Sequence, residues 1–284
     1  MQAETIVRPK IMANHYTSAI SSLFGKFASR EFSSSFQGFI NRSYVSLMGL
    51  DMSEFKEPSS YHTLNALFTR AFEKEREIDS SPTVIISPAD SLVTEFGEIV
   101  EGRAYQIKGM EYQIDELFGS DYQDQAKLLD GGDFINFYLS PKDYHRYHIP
   151  LDLTIKSLTH IPGKLYPVNM QLLRHKKDLF IENERVVIEA IDSRGFIHML
   201  VLVGALNVGK MVVTFEENIK TNSHIREPHH YSYDGLQMSR GDLFGWFEMG
   251  STILTFSQRG AITTKVSIDQ KVKFGEKIAT IKES

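Results

Sequence analysis

The tightest constraint on how this chain folds is the shortness of its apolar runs. Residues 84–86, 134–139, 186–191, 197–203, 211–215, 252–256 and 278–281 are brief and rich in Val, Ile, Leu and Phe. Turn signals such as Gly131-Gly132, Pro162-Gly163 and Arg259-Gly260 separate many of them. That texture predicts strands with few helices. No run approaches the ~20 apolar residues needed to span a bilayer as a helix. The richest one, 199–206, contains Gly204 and reads as a buried strand.

Residues 1–57 have a different texture. Ile20, Leu23, Phe24 and Phe27 fall at helical spacing, as do Phe32, Phe36, Phe39 and Ile40. Through Leu50 the segment carries five Lys/Arg against two Glu, in a chain whose net charge is −5. Phe-rich amphipathic helices with a basic bias suit a membrane interface, and the same faces would equally pack on the protein. Glu57-Pro58-Ser59-Ser60 reads as a linker, with Ser60 capping a helix through Leu64, Leu67, Phe68 and Phe72. The N-terminus lacks a cationic start followed by an apolar core, so no signal peptide is expected.

With 284 residues the chain is long enough for one large domain, or for one domain plus an appendage. It has no cysteine, which removes disulfides, thiolate nucleophiles and Cys metal sites. The acidic balance gives no sign of a nucleic-acid binder. Ten histidines are present, and no convincing third and fourth ligand joins His145 and His148, so no metal site is expected.

Four residues can carry chemistry. Asp90 follows the strand-like 84–86 and suits a carboxylate that orients a histidine, or a turn cap. His145 and His148 lie three apart, on one face of a helix or on opposite faces of a strand. Ser251 follows Gly250, whose carbonyl no side chain shields. Asp, His and Ser in this order can form a triad. The hydrolase elbow G-x-S-x-G is absent, since Thr252 and Ile253 follow the serine.

Taken in order, Pro88-Ala89-Asp90, Tyr144-His145-Arg146-Tyr147-His148-Ile149-Pro150, Pro162-Gly163-Lys164-Leu165, Asn183-Glu184-Arg185-Val186, Val203-Gly204-Ala205 and Met249-Gly250-Ser251-Thr252 resemble the signature blocks of bacterial-type phosphatidylserine decarboxylases. Met249 departs conservatively from the Leu or Val common there. The resemblance implies an α+β protein with N-terminal amphipathic helices (1–57) for membrane association and a mainly β catalytic domain (58–284). It implies self-cleavage at Gly250-Ser251, assisted by Asp90 and His148. A β chain would end at Gly250, and an α chain 251–284 would begin with a pyruvoyl group made from Ser251, the covalent cofactor. The substrate would be phosphatidylserine and the product phosphatidylethanolamine. His145 would donate a proton or contact the substrate carboxylate, and the 162–172 segment would cover the site. The enzyme would be peripheral on the cytoplasmic side of the cell membrane. Oligomeric state stays open, a homodimer among the options.

Separately, residues 266–281 resemble the half-repeat of biotinyl/lipoyl barrels, which predicts a barrel element at the C-terminus. The competing functions are a serine hydrolase using Asp90, His148 and Ser251 on an external ester or peptide, a non-enzymatic barrel module, and a related decarboxylase of ether-linked serine lipids.

Overall fold

The computed structural model describes residues 25–206, 210–219, 221, 226–248 and 252–282. The expected helix through Ile20, Leu23 and Phe24 lies outside them, and so do Met249, Gly250 and Ser251.

The strands are β1 (Val84–Ile86), β2 (Ser91–Glu98), β3 (Arg103–Ile107), β4 (Met110–Gln113), β5 (Asp133–Tyr138), β6 (Arg146–His148), β7 (Leu153–Ile161) and β8 (Arg185–Ile191). They continue as β9 (Ile197–Val203), β10 (Met211–Val213), β11 (His229–Met238), β12 (Leu243–Phe247), β13 (Thr252–Ser257), β14 (Ile262–Thr264), β15 (Lys271–Val272) and β16 (Lys277–Ile281). Eight form the main antiparallel sheet in the order β11-β7-β8-β9-β13-β5-β2-β15. Its central strands are apolar on both faces: β8, β9 and β13 are buried almost throughout, as expected where each face of a sheet is covered. β3 and β4 form a hairpin, and β1-β16-β14 and β10-β12-β6 form two small sheets.

The predicted mixed, strand-dominated architecture is observed, but the C-terminal segment forms no closed barrel among the described residues. Its two short strands go to different sheets. β15 pairs with β2 at the edge of the main sheet, while β16 lies between β1 and β14. The turn between them is the anticipated glycine turn, with Gly275 at φ 89° in the left-handed region that glycine occupies without strain.

The helix Ser34–Met48 turns Ile40, Tyr44 and Val45 toward the small core of Ala28, Leu64 and Leu67 and leaves two phenylalanines outside. Gln37, Gly38 and Asn41 face inward, while Phe36 and Phe39 are 51% and 62% exposed. Asn41 Nδ2 donates to the carbonyls of Pro58 and Tyr61 at 2.9 Å, and Gln37 donates to Asn41 Oδ1 at 2.8 Å. Those bonds satisfy the Asn41 amide, which burial would otherwise leave costly, and Phe36 and Phe39 stay outward. The next helix, Leu64–Phe68, is capped by Thr63, whose hydroxyl accepts from Ala66 N–H at 2.9 Å. Thr63 is the cap because its backbone is extended and its oxygen reaches the first turn. Ser60 instead bonds back to the Glu57 carbonyl in a 3-10 turn, and Phe72 lies beyond the helix.

Candidate active site

His148 ends β6, which pairs antiparallel with β12 so that His148 lies opposite Leu243 and Arg146 opposite Trp246. Gly245 makes this pairing close, because a side chain there would collide with the Val212 carbonyl and the Tyr147 ring. His145 stands just before β6, and the strand alternation sends the two imidazoles apart. His145 lies on Phe68, ring centroids 4.0 Å apart, and His148 stacks on Phe274 at 3.7 Å.

The hydrogen bonds of His148 define its tautomer. Nδ1 is 2.8 Å from the Gly241 carbonyl, which can only accept, so Nδ1 carries the hydrogen. Nε2 therefore offers its lone pair, and it accepts from the Tyr144 hydroxyl at 3.0 Å. Burial pulls His148 down to about 4; Arg146 and Arg76 add to this, while the Gly241 bond and Asp90 oppose it. The ring is neutral at neutral pH, as a base must be.

Asp90 lies beside this group but is held by other partners. Arg76 Nη1 and Nη2 donate to its two carboxylate oxygens at 2.5 and 3.0 Å, and Phe274 N–H donates at 2.8 Å. The second side of Arg76 grips Glu54, Nε to Oε1 at 2.7 Å and Nη2 to Oε2 at 2.6 Å. Phe274 thus touches both residues, its backbone binding Asp90 and its ring stacking on His148. The carboxylate faces Arg76 because a planar guanidinium makes two charge-assisted bonds where an imidazole makes one. Orientation of the imidazole falls to Gly241.

His145 is fully buried. Its Nδ1–H donates to the Asp143 carbonyl at 2.8 Å, and its Nε2 has no partner. Burial, with the Arg70 charge added, pulls it down to about 3. Titration near working pH therefore does not describe it. It is a neutral imidazole with an unused lone pair. Thr252, the first described residue after Ser251, also has a buried hydroxyl without a partner. On the preceding side Glu248 is bonded by the Asn65 side chain.

The profile of the phosphatidylserine decarboxylase family matches residues 64–280. The chain belongs to that family. Its relatives include the phosphatidylserine decarboxylase proenzymes of Helicobacter pylori strain ATCC 700392 / 26695, 45% identical over 92% of this chain and 96% of the relative, and Campylobacter jejuni, 42% identical over 91% and 97%. That of Brevibacillus brevis is 35% identical over 93% and 94%. The decarboxylase assignment made from the signature blocks is therefore correct, and the serine-hydrolase alternative receives no support.

Decarboxylase chemistry directs attention to residues that spacing alone did not single out. Tyr144 lay within the quoted Tyr144–His148 block, yet its contact with Nε2 depends on β6 turning the two rings together. Arg76 and Gly241 come from segments carrying no motif of their own, and Phe274 from the barrel-like 266–281 segment, where nothing marked it as a site residue. The 163–183 segment is tied down at both ends. Asn183, wholly buried, bonds Tyr166 N–H, the Tyr166 carbonyl and the Gly204 carbonyl at 3.0, 3.0 and 2.8 Å. Gln106 bonds the carbonyls of Leu173 and Lys176 and the N–H of Leu179. A second Asp–His–Ser chain is present: His198 bonds Ser257 Oγ at 3.0 Å and Asp192 Oδ2 at 3.4 Å. All three residues are buried, and Arg194 occupies the aspartate, so the chain reads as a structural tie.

Proposed function

We propose that this protein is a proenzyme that cuts itself between Gly250 and Ser251, converts Ser251 to a pyruvoyl group, and decarboxylates phosphatidylserine to phosphatidylethanolamine. The observation that carries this reading is the neutral His148 with an oriented, accepting Nε2, in a chain of this family that has Gly250-Ser251 immediately before β13.

His148 takes the hydroxyl proton of Ser251, through Tyr144 whose O–H already points at Nε2. The alkoxide attacks the Gly250 carbonyl, and the peptide link moves from nitrogen to oxygen. Loss of the Ser251 α-proton expels the Gly250 carboxylate. The dehydroalanine left behind takes up water and loses ammonia. Asp90 favours the imidazolium formed on His148 by its charge, since an opposite charge nearby stabilises the protonated form. The buried Thr252 hydroxyl, without a partner among the described residues, has a hydrogen to offer a carbonyl oxygen.

The pyruvoyl carbonyl supplies an electrophile for the substrate amine and a sink for the electrons released with CO₂. His145 Nε2, a buried acceptor without a partner among the described residues, receives a hydrogen bond from the substrate ammonium and stays neutral. Residues 1–57 place the enzyme on the bilayer, peripherally and on the cytoplasmic side, with residues 58–284 as the catalytic domain. The outward Phe27, Phe36, Phe39 and Leu47 support that reading. Among the described residues no helix is long and apolar enough to cross a membrane.

Intact mass under denaturing conditions tests the proposal. Two fragments meeting at Gly250/Ser251, the smaller with a carbonyl that hydroxylamine traps, are expected of the wild type, and one uncut chain of Ser251→Ala. A wild-type chain that stays whole at neutral pH would overturn it.

A further inference from the structure

Arg70 is 2% exposed, yet it belongs to none of the ion pairs among the described residues. Its Nη2 donates to the carbonyls of Lys142 and Asp143 at 3.0 and 3.4 Å. Its Nε and Nη1 are buried with no acceptor among the described residues. The Phe55 ring, 4.4 Å from the guanidinium carbon, covers one face. A buried cation with unused donors is costly unless an acceptor completes it. The other buried arginine, Arg185, shows the contrast: its guanidinium is bonded to the carbonyls of Leu117, Ile181, Asn183 and Glu116.

Arg70 stands next to His145. Arg70 and His145 both bond the Asp143 carbonyl. Phe68, two residues before Arg70, carries His145 on its ring, and Asn65 of the same helix bonds Glu248. We propose that Arg70 is the binding site for the phosphodiester of the substrate headgroup. The inference rests on phosphatidylserine being the substrate.

The headgroup offers two anions, and the chemistry separates them. A permanent cation on the carboxylate would hold the ground state more strongly than a transition state that is becoming neutral CO₂, and so would slow the reaction. The phosphodiester keeps its charge throughout. A guanidinium there binds reactant and transition state alike, which lowers KM and leaves kcat alone. Arginine donors match phosphate oxygens in geometry and remain charged when desolvated.

The test uses the full chain with Ser251→Ala, so that binding is read without cleavage or turnover. Calorimetry with glycerophosphoethanolamine, which has the phosphodiester and no carboxylate, is compared with glycerophosphoserine. Binding of both is expected, weakened about tenfold or more by Arg70→Gln and partly restored by Arg70→Lys. In the self-cleaving background the same variants should raise KM for phosphatidylserine vesicles about tenfold and change kcat less than about threefold. Loss of glycerophosphoserine binding alone would assign Arg70 to the carboxylate and overturn the proposal. Unchanged binding of both would reduce Arg70 to a brace for the 142–143 loop. Should the Arg70 variants fail to fold, the phosphorus resonance of glycerophosphoethanolamine decides: no shift on adding the Ser251→Ala chain with Arg70 intact rules the site out. A wild type that never cuts itself would sink the pyruvoyl reading and leave these binding results standing.

Discussion

At the scale of single residues, the site is built by removing water from imidazoles. His148 titrates near 6.5 when unfolded and about 4 when folded. The folded state prefers the neutral ring, so the stabilisation is complete above pH 6.5 and is lost as pH falls toward 4. Across that window the wild type should lose about 1.4 kcal/mol per pH unit relative to His148→Gln, about 3 kcal/mol in total. Denaturant midpoints of both proteins at several pH values measure the difference; parallel curves would contradict the neutral buried ring. The sequence displayed His148, His145 and Asp90 as reactive types at suggestive places. It could not display that Arg76 binds Asp90, because that contact depends on where the 73–78 segment crosses the start of β2. It could not display the depressed values either, since burial belongs to the packed molecule.

Secondary-structure elements explain why these residues meet. The apolar runs at 84–86 and 197–203 were legible as strands with their observed bounds. Others, such as 211–215, run longer than the strand observed. The half-exposed strand β11 and the short β6 and β15 have too little apolar contrast to stand out. The C-terminal likeness to a barrel repeat captured the glycine turn and missed the partners, because a local turn does not determine which strands lie beside it. Between elements, Asn183 is the joint that fastens the 163–183 segment to β9. Asn183→Ala would leave Tyr166 N–H and two carbonyls without their buried partner, at about 2–4 kcal/mol. Hydrogen exchange in 163–182 should rise while β8 and β9 stay protected, and KM should rise more than self-cleavage slows. Uniform loosening of the main sheet would show instead that Asn183 holds the core.

At the scale of the whole molecule, the helix Ser34–Met48 bears on membrane association, since its sequence pattern suited either the protein or the bilayer. With polar Gln37 and Asn41 turned inward, the aromatic side remains uncovered among the described residues. Phe36→Ser with Phe39→Ser should weaken binding to anionic vesicles about tenfold or more and leave self-cleavage and thermal midpoint unchanged. Vesicle sedimentation with a parallel mass measurement checks both halves; a variant that cannot cut itself would mean the rings serve folding.

The place of β13 carries a last consequence. It runs between β9 and β5 in the middle of the main sheet, and it opens the fragment that cleavage at Gly250-Ser251 would release. The same fragment contains β15, at the far edge of that sheet beside β2, and β16, threaded between β1 and β14 in another. Assembly must therefore precede the cut, because only the intact chain brings β13 to its neighbours as a single-molecule event. Afterwards the history cannot be replayed: two separate polypeptides would have to find each other and rebuild a sheet from its centre. The uncut Ser251→Ala chain should regain its fold on dilution from denaturant, whereas mature enzyme treated identically should not. The bond is then a record of folding as well as a source of chemistry, and a molecule that has spent it folds only once.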